Sequence, residues 1–398
     1  KRVQEAACSA FATLEEEARS QLVPHLDDIV GTLVRAFQYY QAKNLLMLYD
    51  VVGTLAESVG SDLTAGYAEA LMVPLLQKFE GVADNDRAII VLFECLSALA
   101  QNLGAMFMPM VPQVVQRCVR LAVEGAKAAQ MWQQNPNEFE KPDREVMTAS
   151  IDLLSGITEG LQDKVKVILV QHNFLVVLPE CLKDTSLQVK QSAFALMGDA
   201  ARFSIDFLAP ILPVLLPLCA QNLLSGSSSS VCNNASWAVG EVCVKVGPDV
   251  MQPYLEELTT SLVALLCRPA HTHPPIHQNV CITLGRLGMV CGHLMGESFG
   301  NFARMWCVVM KDARPDHEKV NAFQGLCNLI KANPQAVLSC VPELTAAICS
   351  FYPAPSTLDG SFRDILHEYK RQLGDGWPSI HQQFPTEMKV RLQQMYQL

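Results

Sequence analysis

Basic residues are in the minority in this 398-residue sequence: 30 Lys and Arg stand against 40 Asp and Glu, a formal net charge of −10. Without a basic stripe to neutralise phosphates, direct nucleic-acid binding is not expected. The negative field favours a basic protein or peptide as partner. Charged residues of either sign reach only 18% and aromatics 7%. No long apolar run stands out. The best, residues 207–220, is too short to span a bilayer and carries Pro210, Pro213 and Pro217, so no membrane role is expected. No CxxC spacing occurs among the 14 cysteines, which sit singly in apolar runs, as at Cys8, Cys95, Cys181 and Cys219. They read as reduced, buried small hydrophobes in a cytosolic or nuclear protein. Catalytic signatures are missing too: there is no P-loop, GxGxxG with an acidic partner, GxSxG or HExxH. His271, His273 and His277 come nearest to a metal cluster, but Pro274 and Pro275 intervene and no carboxylate is paired with them. A loop with chance histidines is the better reading. The expectation is a protein that is not an enzyme and holds neither metal nor cofactor.

Hydrophobic residues make up 50% of the chain, with Ala, Leu and Val in excess. That is the composition of many packed helices. Two helix types alternate. The first often has a proline near its start, as at Pro24, Pro74, Pro112, Pro210, Pro253 and Pro342. The second is rich in Ala, Gly and Ser and is expected at residues 3–11, 45–59, 88–103, 146–161, 189–201, 231–246, 278–290 and 320–330, with a more polar copy at 362–373. Equivalent points recur at roughly 40 to 45 residues, the period of HEAT or armadillo arrays. The expected fold is all-α: a HEAT-repeat α-solenoid, a superhelical arch of about eight to nine antiparallel helix pairs. It would run as one continuous array over residues 1–398, with a polar loop insertion near 125–143. Residues 165–177 are β-branched, but their place in the period argues for a helix. No strand pattern with turn chemistry is present, and Ser225–Ser230 reads as an inter-helix connection.

The stretch at residues 231–246 organises this reading. Val231, Ala235, Ala238 and Val242 form an apolar stripe, while Asn233, Trp237 and Glu241 fall on another face. A Trp between an Asn and a Glu is an unusual core residue. Other second-type helices carry polar residues in similar register: Thr148, Asp152 and Glu159; Asp50 and Thr54; Ala6, Thr13 and Glu16; with Asp199 one repeat before Trp237. Carboxylates can hold arginine bidentately and an exposed Trp can stack on guanidinium, so an extended basic peptide suits such a surface. A solvated helix face is the plainer reading of any one carboxylate, and packing or loop roles are expected for Trp132, Trp306 and Trp377.

Specific stretches also resemble the transportin family of importin-β (karyopherin-β) nuclear import receptors. They are Lys1-Arg-Val-Gln-Glu-Ala-Ala-Cys-Ser-Ala-Phe-Ala-Thr-Leu-Glu-Glu-Glu17, Lys43-Asn-Leu-Leu-Met-Leu-Tyr-Asp50, Asp152-Leu-Leu-Ser-Gly156, Ser230-Val-Cys-Asn-Asn-Ala-Ser-Trp237 and Gly285-Arg-Leu-Gly288. The resemblance runs from end to end but matches only the C-terminal half of such a receptor. It implies a cargo-binding arch for extended, basic proline–tyrosine nuclear localisation signals. Release by the GTPase Ran would act through an N-terminal arch that this chain lacks. Nucleoporins are further implied partners, and the implied protein is a monomer shuttling between cytoplasm and nucleus. Ala6, Thr13, Glu16, Asp50 and Thr54 would receive the signal's arginine. Asp152, Glu159, Asp199, Trp237 and Ile282, with Ile90 nearby, would take its N-terminal portion. Thr148 and Ser229 stand where the family tends to be aliphatic, so a hydrophobic epitope is expected to bind less well. The alternative is a HEAT-repeat scaffold subunit that holds folded partners on its loops. Because the chain begins at Lys1 within a helical pattern, a fragment with an uncapped first repeat and reduced solubility at that end is expected.

Overall fold

Strong helix formers and a 3.6-residue apolar period leave this chain one way to bury its surface, as helices stacked on helices. The structure, a computed structural model, describes residues 2–172, 174–224, 228–268 and 274–398. Among them there is no strand. The chain forms two compact units, residues 1–212 and 213–398. The first contains α1 (Arg2–Ala18), α2 (Leu26–Tyr39), α3 (Ala42–Val59), α4 (Ala65–Gly81), α5 (Ala88–Leu103), α6 (Val111–Gln134), α7 (Glu145–Leu161), α8 (Lys166–Gln171), α9 (Phe174–Lys183) and α10 (Leu187–Leu208). From α11 (Leu212–Leu224) the chain passes through α12 (Ser229–Val246), α13 (Pro248–Leu266), α14 (Pro274–Cys291), α15 (Gly296–Phe299), α16 (Ala303–Met310), α17 (His317–Ala332), α18 (Val341–Cys349), α19 (Ser356–Leu373), α20 (Trp377–Gln383) and α21 (Thr386–Arg391).

Every second-type helix expected from the sequence is present, as α1, α3, α5, α7, α10, α12, α14, α17 and α19. In the first unit they stack in a row, α1 on α3, α3 on α5, α5 on α7 and α7 on α10; in the second, α12 on α14, α14 on α17 and α17 on α19. Small residues let them approach closely. A Cβ on Gly160 of α7 would lie 1.9 Å from the Ala100 carbonyl oxygen of α5, and one on Gly156 would lie 2.1 Å from Ser97 Oγ. In the second unit a Cβ on Gly325 of α17 would meet the Gly285 carbonyl oxygen of α14 at 1.7 Å. Five of these helices end on a residue with positive φ that turns the chain into a 3₁₀ segment. Three such residues are glycines, Gly60, Gly104 and Gly374, but α1 ends on Arg19 at φ 45° and α7 on Gln162 at φ 57°.

Three local expectations change. Residues 165–177 do not form one helix but the separate α8 and α9. The polar stretch from 125 starts as helix, because α6 continues to Gln134 and only 135–144 leave it. Two continuous helical runs, 88–134 and 187–224, are long enough to cross a membrane and each contains an 18-residue stretch apolar enough to do so, with mean hydropathy 1.6 and 1.9. Each arises because a second-type helix runs through a short 3₁₀ segment into the next first-type helix, so Pro210 does not end the run. Their apolar side chains, including Leu92, Leu96, Leu196 and Leu215, are buried against neighbouring helices. Thirteen cysteines are buried as expected, but Cys267 is exposed. Trp306 and Trp377 are buried, and Trp132 is half-buried under Lys141.

The second unit also buries a lysine. Lys319 Nζ donates to the Ala313 carbonyl oxygen and to Ser350 Oγ, both at 2.9 Å, and lies 4.7 Å from the Phe351 ring centre. Burial pushes its pKa down to about 8. The close α5–α7 packing yields a test with opposite signs two residues apart. Gly160→Ala should cost about 1–3 kcal/mol by forcing α5 and α7 apart. Gln162→Gly should gain about 1 kcal/mol by relieving the positive φ. Urea unfolding midpoints of the two variants check both.

Candidate functional site

The second-type helices of the first unit place the predicted residues in register. On α1, Ala6, Thr13 and Glu16 are exposed, with Thr13 Oγ1 donating to the Ser9 carbonyl oxygen at 3.2 Å. On α3, Asp50 is exposed and Thr54 half-buried. Ile90 of α5 and Thr148 of α7 are half-buried, and Asp152 and Glu159 of α7 are exposed. Asp199 of α10 accepts a hydrogen bond from Ser155 of α7. Glu159 accepts one from Gln101 Nε2 at 2.7 Å. A cleft of about 630 Å³ opens beside α5 and α7 and brings Ile90, Thr148 and Asp152 together.

That cleft adds residues not singled out from the sequence: Glu57, Glu94, Ser97 and Gln101. A signal for them existed. Ile90, Glu94 and Gln101 have the i, i+4, i+11 spacing of Thr148, Asp152 and Glu159. The pairs Arg87–Glu145 and Gln101–Glu159 confirm that α5 and α7 align in this register. Loss of water raises the acids' pKa values. Although Asp152 as a whole is exposed, its carboxyl is partly shut off from water within the cleft, which pushes its pKa up, partly offset by a hydrogen bond with Ser192. Burial also pushes Glu94 up, and the nearby charges of Asp152 and Asp50 add to it. Beneath Asp50, Glu15 of α1 is fully buried, and neither carboxylate oxygen has a hydrogen-bond partner. Burial, then Asp50, pushes its pKa up to about 9, so Glu15 is neutral near pH 7.

In the second unit Ser229 and Trp237 of α12 are half-buried. Ile282 of α14 is 6% exposed, so only its edge is open. Glu241 departs from the expected polar face. It is buried, and its Oε1 lies 3.0 Å from Arg286 Nη1 of α14, whose Nη2 lies 3.0 Å from Glu318 Oε1 of α17. Asn233 is also engaged, since Asn279 Nδ2 donates to its carbonyl oxygen at 2.9 Å and to its Oδ1 at 3.1 Å. On that face Trp237 remains available. The His271 and His273 positions lie outside the described residues, and His277 is buried. Among the described residues no group of three or more His, Cys, Asp or Glu is placed to hold a metal ion.

The profile of the family described as importin subunit beta-1-like, TPR repeats, matches residues 1–206. A HEAT-like repeat profile matches 233–287, and that of the proteasome activator complex subunit 4-like C-terminal family matches 316–397. Transportin-1 of Homo sapiens is 41% identical over all 398 residues, which span 44% of its length. Transportin of Dictyostelium discoideum is 33% identical over 402 residues, covering this whole chain and 43% of that protein. Importin subunit beta-2 of Schizosaccharomyces pombe is 36% identical over 92% of this chain and 40% of its own length. The chain thus spans less than half the length of these relatives. A solved structure of importin beta in a polyethylene glycol condition superposes with a TM-score of 0.58 at 13% identity, over 98% of this chain and 51% of that one. Kap121p bound to RanGTP gives 0.55 at 14% identity, over 95% and 37%. At such identities the likeness is one of fold.

Two carboxylates separate structural from binding roles. Glu15 has a folded pKa raised above its ordinary 4.5. Its favourable contribution is therefore present below about 4.5 and is lost as pH rises towards 9. Glu15→Gln should stabilise the fold by roughly 2–4 kcal/mol at pH 8 and by almost nothing at pH 4.5, read as thermal midpoints at both pH values. Arg286→Met strands Glu241 in the interior and should cost about 3 kcal/mol, while adding Glu241→Leu should recover much of it. A double-mutant cycle by denaturant titration measures that coupling.

Proposed function

Because the chain belongs to the importin-β (karyopherin-β) family of transport receptors, and within it to the transportins, we propose that it is the cargo-binding part of a nuclear import receptor. Its ligand is an extended, basic proline–tyrosine nuclear localisation signal. The observation that carries this reading is the row of carboxylates on adjacent second-type helices: Glu16, Asp50, Glu94, Asp152, Glu159 and Asp199. Loss of water raises the pKa values of Glu94 and Asp152, and at Glu94 the charges of Asp152 and Asp50 add to it, so a cation brought there relieves an existing repulsion. Ala6, Thr13 and Thr54 complete the part that receives the signal's arginine. Ser229, Trp237 and Ile282 offer apolar surface to another part of the signal. Several modest contacts along one flexible segment multiply through effective concentration, and the free signal loses entropy on ordering.

Release by Ran, docking to nucleoporins and shuttling between cytoplasm and nucleus follow from the same reading of the family. Solved structures of Kap121p bound to RanGTP, to Nup53p and to Pho4p support such partners. The chain acts as a monomer and makes or breaks no bond.

The test is fluorescence anisotropy with a labelled basic proline–tyrosine signal peptide at 50 and 200 mM salt. Binding should weaken with salt. Trp237→Ala and the double variant Asp152→Lys/Asp199→Lys should each weaken it about tenfold or more. Binding that ignores salt and both variants would move the site off these helices. A folded partner captured through inter-helix loops, with no peptide binding, would make the chain a scaffold instead.

A further inference from the structure

Helices α12 and α14 of the second unit lie side by side in a steady register. Asn279 Nδ2 donates to the Asn233 carbonyl oxygen, and Thr283 Oγ1 donates to the Ser236 carbonyl oxygen, both at 2.9 Å. A Cβ on Gly240 would lie 3.1 Å from Arg286 Cδ. These pairs stand 46 or 47 positions apart. Carried into the last turn, that offset sets Cys243 level with the end of α14, where Cys291 is the final residue. Cys243 Sγ lies 3.9 Å from the Arg286 carbonyl oxygen, and its thiol donates a hydrogen bond to the Cys291 sulfur. Both cysteines are free and fully buried. Burial pushes the Cys281 thiol up, as expected of an inert interior cysteine. At Cys291 the hydrogen bond from Cys243 outweighs burial and brings the thiol down, while the same bond pushes Cys243 up.

We propose that Cys243 and Cys291 form a peroxide-reactive dithiol, which a hydroperoxide closes into a disulfide between α12 and α14. The Cys291 thiolate attacks one peroxide oxygen. The O–O bond breaks, hydroxide leaves, and Cys291 becomes a sulfenic acid. The Cys243 sulfur then attacks the sulfenic sulfur. The S–S bond forms, the S–O bond breaks, and the Cys243 proton leaves with the hydroxyl as water. Two electrons pass from the thiols to the peroxide, and a thiol reductant reverses the change. Access comes from the end of a helix. Cys291 closes α14, and the chain reaches the surface two residues on at the exposed His293, so fraying of one helix end admits a molecule as small as hydrogen peroxide. In a repeat stack each helix pair touches only its neighbours. A covalent bond at this step therefore fixes α12 against α14 and leaves the next step, α14 on α17, free.

The test treats the folded chain with hydrogen peroxide, unfolds it in N-ethylmaleimide to block the remaining thiols, and maps its peptides by mass spectrometry without reduction. The expected product is a linked pair carrying Cys243 and Cys291, lighter by two hydrogens than the two thiol peptides together and split by dithiothreitol. Amide hydrogen exchange at the C-terminal ends of α12 and α14 should slow about tenfold in the oxidised chain. Cys243→Ala removes the resolving thiol and should halt at the Cys291 sulfenic acid, trapped by dimedone. Cys291→Ala should leave Cys243 unoxidised. The wild-type map stands without either variant. Recovery of Cys243 and Cys291 as blocked thiols under conditions that oxidise the exposed Cys267 overturns the proposal. So does a link that forms only when peroxide is added after unfolding, or one that joins either cysteine to a different thiol.

Discussion

Everything in this structure depends on how closely the second-type helices approach one another. The contacts are backbone against backbone at Gly160 and Ala100, and again at Gly325 and Gly285. At that separation no side chain fits between the helices, so each must point into the layer beneath or out of the stack. A buried stripe such as Val231, Ala235, Ala238 and Val242 goes down. Residues such as Asp152 and Glu159 are left facing out. Neighbouring helices also become locked in register, because a glycine pairs with one particular carbonyl. The polar residues of α5 and α7 then line up as a consequence of packing.

The two units treat charge differently. In the first, Glu57, Glu94 and Asp152 crowd one cleft, and among the described residues none has an ion-pair partner. In the second, the carboxylate in a comparable place on its helix, Glu241, is drawn inwards to Arg286, which also holds Glu318. One guanidinium thus ties α12, α14 and α17 together. The first arrangement keeps a demand for an outside cation; the second satisfies it from within. Burial makes the second arrangement rigid, since neither partner can be removed without stranding the other.

Much of this was legible in the sequence, for reasons that are local. A 3.6-residue period marks each helix, and nine second-type helices lie where the period puts them. What could not be read were events that depend on a neighbour. Glu241 looked like a surface carboxylate because its partner, Arg286, stands 45 positions on in another helix. Glu94 went unnoticed because Ile90 and Gln101, its companions in register, carry no charge. The continuation of α6 to Gln134 runs through polar residues that look like loop until Arg144 is seen reaching back to Gly125. Helical register groups most residues of the proposed signal site, whereas the ligand proposed for them comes from the family resemblance.

Lys319 has a consequence for chemistry rather than for binding. With its pKa brought down to about 8, an appreciable fraction of this amine is uncharged near neutral pH and is intrinsically nucleophilic. Its 1% exposure keeps reagents away. Acylation of Lys319 therefore has to wait until α17 and the segment after α18 separate enough to bare it, since Ser350 and Phe351 cover it. The rate at which an amine-selective reagent marks this position is thus a clock for local opening of the second unit, built into the chain without any added label.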